Sequence, residues 1–116
     1  MNDAHIHNNF EHHMPKNKLL RAYKLFFGTL TSRDRLRIIN LLRKNPKTVS
    51  EIQNELKIEQ TILSHNLKRL RHCGFVDVEQ KGKYRTYTLN RKTIMPLMNL
   101  IDKHMKKYCI KIIENH

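Results

Sequence analysis

The chain has 116 residues, of which 39% are apolar, with three Gly, three Pro and no Trp, so it can form one domain with one small core. This composition excludes collagen-like and low-complexity proteins. Lys and Arg number 23 against 10 Asp and Glu, and the net charge of +13 favours a polyanionic partner, either nucleic acid or an anionic membrane surface, over a surface charged only for solubility.

The N-terminal segment 1–15 is polar, carries four histidines and ends at a proline, and we expect it to be a flexible arm. It has no basic stretch leading into an apolar one, so we expect no secretory signal. Apolar residues then recur at helical spacing and predict a first helix: Leu19, Tyr23, Phe26 and Leu30. We expect the domain to span 16–113, followed by a short tail, 114–116.

Two further helices are predicted from capping and breaking residues. Ser32 is a suitable N-cap for a second helix, which Pro46 ends. Ser50 has Gln53 three residues later, which is capping-box spacing, and this pair predicts a short third helix over 50–56.

The segment 60–73 predicts a fourth helix with two distinct faces, and Gly74 stands in the position of its C-cap. At roughly 100° per residue, the polar and apolar side chains separate onto opposite arcs. The apolar arc contains Ile62, Leu63, Leu67, Leu70 and Cys73. The polar arc contains Thr61, Ser64, His65, Lys68, Arg71 and His72, with Gln60 at its edge.

A β-hairpin is predicted next, because the segments 75–79 and 84–89 are rich in β-branched and aromatic residues. The connection 80–83 contains Gly82 and is expected to form the turn. Its basic side chains are Lys81, Lys83 and, just beyond, Arg85.

The last predicted helix has apolar residues at heptad spacing, which is typical of a helix that packs on a partner helix. Because so small a domain cannot cover the whole stripe, we expect a homodimer through this terminal helix. The predicted interface consists of Ile94, Met98, Ile101, Met105, Tyr108 and Ile112.

The order of these elements predicts a mostly α-helical winged helix-turn-helix, with about five helices, two to three strands and a hairpin wing. Such a fold places one helix in the major groove of DNA, where short polar side chains reach base edges. We predict Gln60, Thr61, Ser64 and His65 as base-reading residues. Phosphate or minor-groove contacts are predicted for Lys68, Arg71, Lys81, Lys83 and Arg85.

The sequence also resembles the ArsR/SmtB-type repressors. The resemblance is carried by LTSRDRLRIINLL at 30–42, TVSEIQNEL at 48–56, QTILSHNLKRLRHCGFV at 60–76 and KGKYRTYTL at 81–89. It implies a homodimeric winged-helix repressor that binds a palindromic operator and releases it when an inducer, often a metal ion, binds. Family members commonly have His where this chain has Asn66, which we expect to bond internally instead.

The resemblance does not lead us to predict a metal or other cofactor. The family's third-helix cysteine is absent here, and the N-terminal His5, His7, His12 and His13 lack partners on a fixed element. Asp102 and His104 match the start of the family's last-helix site, but its continuation falls on Asn115 and beyond the last residue. Glu114 and His116 could substitute only with a shift in register.

The two cysteines, Cys73 and Cys109, are too few for a disulfide framework, and we expect packed thiols rather than a redox pair. No apolar run reaches about 18 residues, so a cytoplasmic protein without a membrane partner is expected. No catalytic motif is present, so we predict no enzyme.

The leading prediction is a sequence-specific, dimeric DNA-binding repressor. The alternatives are a non-specific architectural nucleic-acid-binding protein and a dimeric interaction module. The operator, the target genes, the choice between repression and activation, and the existence of an inducer stay open.

Overall fold

The structure, a computed structural model, describes residues 15–116. The four histidines of the predicted arm lie outside this range. The described elements are α1 (Lys16–Leu30), α2 (Arg33–Lys44), β1 (Lys47–Thr48), α3 (Val49–Leu56), α4 (Gln60–His72), β2 (Val76–Lys81), β3 (Tyr84–Leu89), α5 (Ile94–Lys107) and α6 (Cys109–Glu114). This order confirms the predicted fold: α3 and α4 form the helix-turn-helix, and β2 and β3 form the wing.

One hydrophobic core holds these elements together, and every element except α1, β1 and α6 contributes a buried apolar side chain. Phe75, at the centre, is completely buried and stacks on Phe26 of α1 with ring centroids 5.2 Å apart. Burying each large apolar side chain contributes about 1.5–3 kcal/mol. The core consists of Ile38, Ile39, Leu42, Ile52, Ile58, Leu63, Leu67, Leu70, Phe75, Val76, Tyr87, Leu89, Ile94 and Met98.

The helices α2 and α3 each begin at a side-chain N-cap. Ser32 caps α2 as predicted, but the capping box of α3 is formed by Thr48 and Glu51, two residues before the predicted pair. The Thr48 N–H donates to the Glu51 carboxylate at 2.8 Å, and the Glu51 N–H donates to the Thr48 hydroxyl at 3.2 Å. Thr48, and not Ser50, is the N-cap of α3, because the pairing of Thr48 with Thr86 in the sheet already holds it in the extended conformation that an N-cap requires.

The turn between α3 and α4 is short and well determined. Lys57 ends α3 in the left-handed conformation, with φ of 55°, and its N–H donates to the Gln53 carbonyl. Ile58 is buried in the core, and the Glu59 carboxylate accepts a hydrogen bond from the Ile62 N–H at 3.1 Å. The orientation of α4 relative to α3 is therefore set by one anchored side chain and a cap at each helix end.

Gly74 ends α4 as predicted, with φ of +78°. The Phe75 N–H donates to the Leu70 carbonyl at 2.8 Å, and the Gly74 N–H donates to the Arg71 carbonyl at 3.1 Å. These two bonds form a Schellman motif, which satisfies the last carbonyls of the helix. The chain then enters β2 directly, so the wing begins beside the C-terminus of α4.

The sheet is antiparallel, with strand order β1-β3-β2. Pairing extends from Val76 opposite Leu89 to Lys81 opposite Tyr84. The turn is therefore only Gly82 and Lys83, with Gly82 at φ of +60°, and it is shorter than the predicted 80–83. A two-residue turn with Gly first matches the right-handed twist of the strands, which explains why the ladder continues to the tip.

The predicted last helix is divided in two at Tyr108, where φ is −119° and ψ is −66°. The heptad pattern is thus not one continuous helix. Among residues 15–116, none of the helices is both long enough and apolar enough to span a bilayer.

Candidate nucleic-acid interface

The polar face of α4 is open to solvent along its length. Leu63, Leu67 and Leu70 are at most 2% exposed and fix the opposite face to the core. All six predicted contact residues of the helix are exposed: Gln60, Thr61, Ser64, His65, Lys68 and Arg71. The first five of them line one shallow depression. The helix is therefore held rigidly from behind and presents hydroxyl, amide, imidazole and cationic groups outward.

Ile62 and Asn66, near the border between the two arcs, differ in their exposure to solvent. Ile62, which was assigned to the apolar arc, is 46% exposed, because it lies at the edge of that arc and no described element covers it. Asn66 is half-buried; its side-chain carbonyl accepts from Arg35 at 3.0 Å and its amide donates to the Ile62 carbonyl at 2.9 Å. The prediction that Asn66 bonds internally is confirmed.

A groove lies between α4 and the wing, and it brings together cations that are distant in the sequence. Lys68 and Arg71 of α4 line it together with Arg85 of β3. Ser64 stands at its α4 side, and the remaining lining residues are Val49, Leu67 and Tyr87. None of these lining residues is acidic, so the groove is suited to an anionic group such as a phosphate.

The three predicted cations of the wing occur in two settings, an ion pair and contacts with aromatic rings. Lys81 forms an ion pair with Glu79 at 3.3 Å, which compensates part of its charge. Lys83 lies 5.7 Å from the centre of the Tyr84 ring, and Arg85 lies 5.9 Å from that of Tyr87. Aromatic contacts orient a cation without neutralising it, so Lys83 and Arg85 retain their charge for an external anion.

The predicted dimer residues fall into two groups. Ile94 and Met98 are each 4% exposed and belong to the chain's own core, so their burial requires no partner subunit, contrary to the expectation. The spacing of apolar residues could not distinguish a neighbouring element from a partner. The other members are half-buried, as are Ile101 and Met105, or exposed, as are Tyr108 and Ile112.

The structure also shows an exposed apolar surface, of which only Tyr108 and Ile112 were predicted from the sequence. Several large apolar side chains of α1, of α5 and α6, and of the residue between those two helices are between 44% and 72% exposed: Leu20, Tyr23, Phe27, Leu100, Tyr108, Ile110, Ile112 and Ile113. We call these residues the apolar surface. A hollow lined by Leu19, Ala22, Tyr23, Phe26, Phe27 and Leu97 lies between α1 and α5. The signal was present in the sequence, because α1 has apolar residues on more than one face.

The candidate metal ligands have other partners. The Asp102 carboxylate accepts a hydrogen bond from Arg43, and the His104 ring lies 4.8 Å from that of Tyr108. Within residues 15–116, no three His, Cys, Asp or Glu side chains lie close enough together to hold a metal ion.

Both cysteines of the chain are free thiols. Cys73 is half-buried, and its sulfur lies 3.5 Å from the Thr29 hydroxyl oxygen. Cys109 is exposed at the start of α6, so the expectation of a packed thiol is wrong for this residue. The reason is the break at Tyr108, which leaves α6 outside the core.

Two capping carboxylates and one half-buried cation have pKa values below their ordinary values. Hydrogen bonds from the Thr48 backbone lower the pKa of Glu51, and those from the Thr61 and Ile62 backbone lower the pKa of Glu59. Burial, followed by repulsion from Arg69, lowers the pKa of Arg35.

Comparison with known proteins adds three similarities. The family model of the bacterial regulatory proteins of the arsR family matches residues 32–78. The arsenical resistance operon repressor of Bacillus subtilis is 32% identical over 85 residues, which cover 72% of this chain and 81% of that protein. The transcriptional activator HlyU of Vibrio cholerae is 29% identical over 69 residues, which cover 60% of this chain and 64% of that protein.

A solved structure matches the fold. It is the homodimeric winged helix-turn-helix DNA-binding domain of a Mycobacterium bovis protein, with a TM-score of 0.74 and 24% sequence identity. The match covers 87% of this chain and 90% of that one.

Proposed function

The chain belongs to the ArsR family of bacterial regulatory proteins, and on this premise we propose that it is a dimeric, sequence-specific DNA-binding regulator of transcription. A regulatory role agrees with the prediction that it is not an enzyme. The proposal depends on one observation above all: the exposed polar face of α4 and the cationic groove beside it form a continuous surface. We further propose that the protein is cytoplasmic, with a DNA-binding and dimerisation domain over 16–113, flanked by the arm 1–15 and the tail 114–116.

The base-reading role is proposed for the N-terminal half of the polar face of α4. A major groove admits one helix, and amide, hydroxyl and imidazole groups on its outer face can form hydrogen bonds with base edges. The residues with this chemistry are Gln60, Thr61, Ser64 and His65. Because their helix is anchored by buried leucines, their positions relative to the DNA are preorganised.

The backbone role is proposed for the cations that flank this face. Lys68, Arg71 and Arg85 line the groove between α4 and the wing, where one DNA strand would run. Lys83 lies in the two-residue turn at the wing tip, and Lys81 next to this turn adds a second positive charge despite its ion pair with Glu79. Phosphate contacts set register and supply most of the affinity, but they carry no sequence information.

The dimer role is proposed for the apolar surface together with Ile101 and Met105. Large exposed apolar surfaces are typical of interaction sites, and a two-fold partner covers the same surface on both copies. Two copies related in this way present two α4 helices to a palindromic operator. The Mycobacterium bovis domain with this fold is itself homodimeric.

We propose that the protein acts as a repressor by occluding a promoter. The Bacillus subtilis relative is a repressor, whereas the more distant Vibrio cholerae relative is an activator. Repression by occlusion needs only the surfaces described above. A reporter placed behind the selected operator should be silenced by the protein; an increase in its expression would indicate activation instead.

The decisive experiment is operator selection from random duplex DNA with the full chain, followed by competition binding. We expect a selected palindrome to outcompete random duplex by at least about 10³-fold. If random duplex competes equally well, the protein is an architectural nucleic-acid-binding protein. If no DNA is bound even at low salt, it is an interaction module, and the proposal is wrong.

A further inference from the structure

A guanidinium group connects the end of α1 to the DNA-reading helix. Arg35, in the first turn of α2, donates from Nε to the Thr29 carbonyl at 2.7 Å and from Nη2 to the Gly28 carbonyl at 3.1 Å. Its third nitrogen, Nη1, donates to the side-chain carbonyl of Asn66 at 3.0 Å. One planar group thus bonds to two elements at once, with a separate nitrogen for each acceptor.

A second connection runs in parallel. Arg69 of α4 donates from Nε to the Thr29 hydroxyl at 3.2 Å. Thr29 is completely buried, and its hydroxyl in turn donates to the Leu25 carbonyl at 2.7 Å. The last turn of α1 is therefore tied to α4 at both Asn66 and Arg69, one helical turn apart, so rotation of α4 relative to α1 would strain one of the two connections.

The acceptors around Arg35 are all neutral. No Asp or Glu within residues 15–116 forms an ion pair with it. Backbone carbonyls at a helix C-terminus carry partial negative charge, so the end of α1 is an electrostatically suitable place for this cation. Because the group is held by directed hydrogen bonds and not by a mobile counter-charge, its geometry is specific to a planar guanidinium, which a lysine ammonium cannot reproduce.

From this arrangement we infer that Arg35 and Asn66 are positioning residues, which fix the recognition helix α4 relative to α1. The inference depends on the proposed function for its consequence. Since α1 contributes to the proposed dimer surface, the placement of α4 on α1 sets the distance between the two reading helices. That distance determines which half-site spacing the dimer accepts, because half-sites must match the separation of the helices.

The test compares Arg35→Lys and Asn66→Ala with Arg33→Lys as the matched control. Arg33 is an exposed arginine on α2, two residues away. In a selection in which the spacer between half-sites varies, both test variants should accept a broader or shifted range of spacings. Affinity for the wild-type operator should fall by about tenfold, within the range of typical coupling effects, while affinity for random duplex changes little. The control should behave like the wild type.

A purely structural role would give a different result. If each test variant weakens operator and random duplex by the same factor and keeps the wild-type spacing preference, the inference is wrong. Asn66→Ala removes only the contacts made by the Asn66 side chain and leaves the Arg35 bonds to α1, so it is informative even if Arg35→Lys fails to fold.

A measurement without DNA separates this inference from the proposed function. Amide hydrogen exchange in the free, folded protein should be faster across 60–72 in both test variants than in the wild type, with α2 little affected. Unchanged exchange across 60–72 would overturn the inference, whatever the protein binds. Absence of operator preference in the wild type would overturn the proposed function but not the positioning of α4.

Discussion

Arg43 on α2 donates to the carboxylate of Asp102 on α5, and the same guanidinium nitrogen lies 2.8 Å from the side-chain carbonyl of Asn99, one turn earlier on that helix. This contact joins α5 to α2, the helix that precedes the helix-turn-helix. The Arg43 side chain is 19% exposed and the Asp102 side chain is 46% exposed, so the pair lies at the edge of the core.

Asp102→Asn should therefore lower the free energy of unfolding by about 0.5–1 kcal/mol, as expected for a partly exposed ion pair. The loss should shrink as salt is raised, because salt screens exposed charges. Urea unfolding at low and high ionic strength measures both effects. Asp77→Asn is the control, since Asp77 is an exposed carboxylate without an ion pair among residues 15–116. Equal losses in both variants would mean that the contact with Arg43 contributes nothing specific.

The same contact leads to a prediction about metal ions. A metal ion at Asp102 would compete with Arg43 for the carboxylate, and no group of three His, Cys, Asp or Glu side chains within residues 15–116 could hold one. Zn²⁺ at micromolar concentration should change operator affinity by less than about fivefold, the lower end of ordinary allosteric coupling. Fluorescence anisotropy of labelled operator, with and without a chelator, measures this. A larger effect that is lost in Asp102→Asn would show that the ion pair gives way to a metal site.

Replacement of a wing cation and of a reading residue should have different effects. Lys83→Ala should weaken binding to all duplexes similarly and reduce the slope of log K against log salt by about one unit, because one phosphate contact is lost. Ser64→Ala should keep that slope and relax sequence preference, because Ser64 offers a hydroxyl to base edges. Binding titrations at several salt concentrations, with the selected operator and a scrambled duplex, distinguish the two. If both variants behave alike, the division between α4 and the wing is wrong.

The fold and the α4 surface could be predicted because short-range patterns encode them. The alternation between buried leucines and exposed polar residues follows helical periodicity, so Lys68 and Leu70, two residues apart, had to lie on different faces. Gly74 and Gly82 mark positions of positive φ at the two ends of the segment that joins α4 to the wing tip. Each of these signals lies within a few residues of the structure that it predicts.

The features that were predicted incorrectly or not at all depend on distant contacts. Thr48 became the cap of α3 because it pairs with Thr86, 38 positions further along the chain. The pairing of Arg35 with Asn66 joins two helices across 31 positions. Periodicity shows that Met98 is buried, but it does not tell which neighbour covers it, and here the chain's own core does so.

The apolar surface gives a prediction about assembly. Leu100 on α5 is 64% exposed, so Leu100→Glu should shift the protein from dimer to monomer by placing a charge within the proposed interface. The monomer should also bind operator more weakly, because only one half-site is engaged at a time. Sedimentation equilibrium gives the dissociation constant. Leu36→Glu places the same charge on a 36% exposed residue of α2 and should leave the dimer intact. A dimer that persists in Leu100→Glu would locate the interface elsewhere.

The two capping glutamates predict how stability depends on pH. Backbone hydrogen bonds lower the folded-state pKa of Glu51 and of Glu59 below the ordinary value of 4.5. A carboxyl group with a lowered folded-state pKa contributes stability above its unfolded-state pKa, and the contribution is lost as the pH falls through the folded-state pKa. The double variant Glu51→Gln and Glu59→Gln should thus be less stable than the wild type at pH 7, and the difference should narrow in acid below the ordinary value of 4.5.

Urea unfolding at neutral and acidic pH tests this expectation. Glu114→Gln, at the exposed end of α6, is the control and should differ little from the wild type at pH 7. The stability difference between the double variant and the wild type could instead stay constant down to acid pH. In that case the Gln amides destabilise the caps for a steric reason, and the carboxylate charge at the two helix N-termini contributes nothing to stability. A stability difference that widens in acid would mean that the protonated carboxyl groups stabilise the folded protein more than the carboxylates do. This result would exclude the two caps as the origin of the difference.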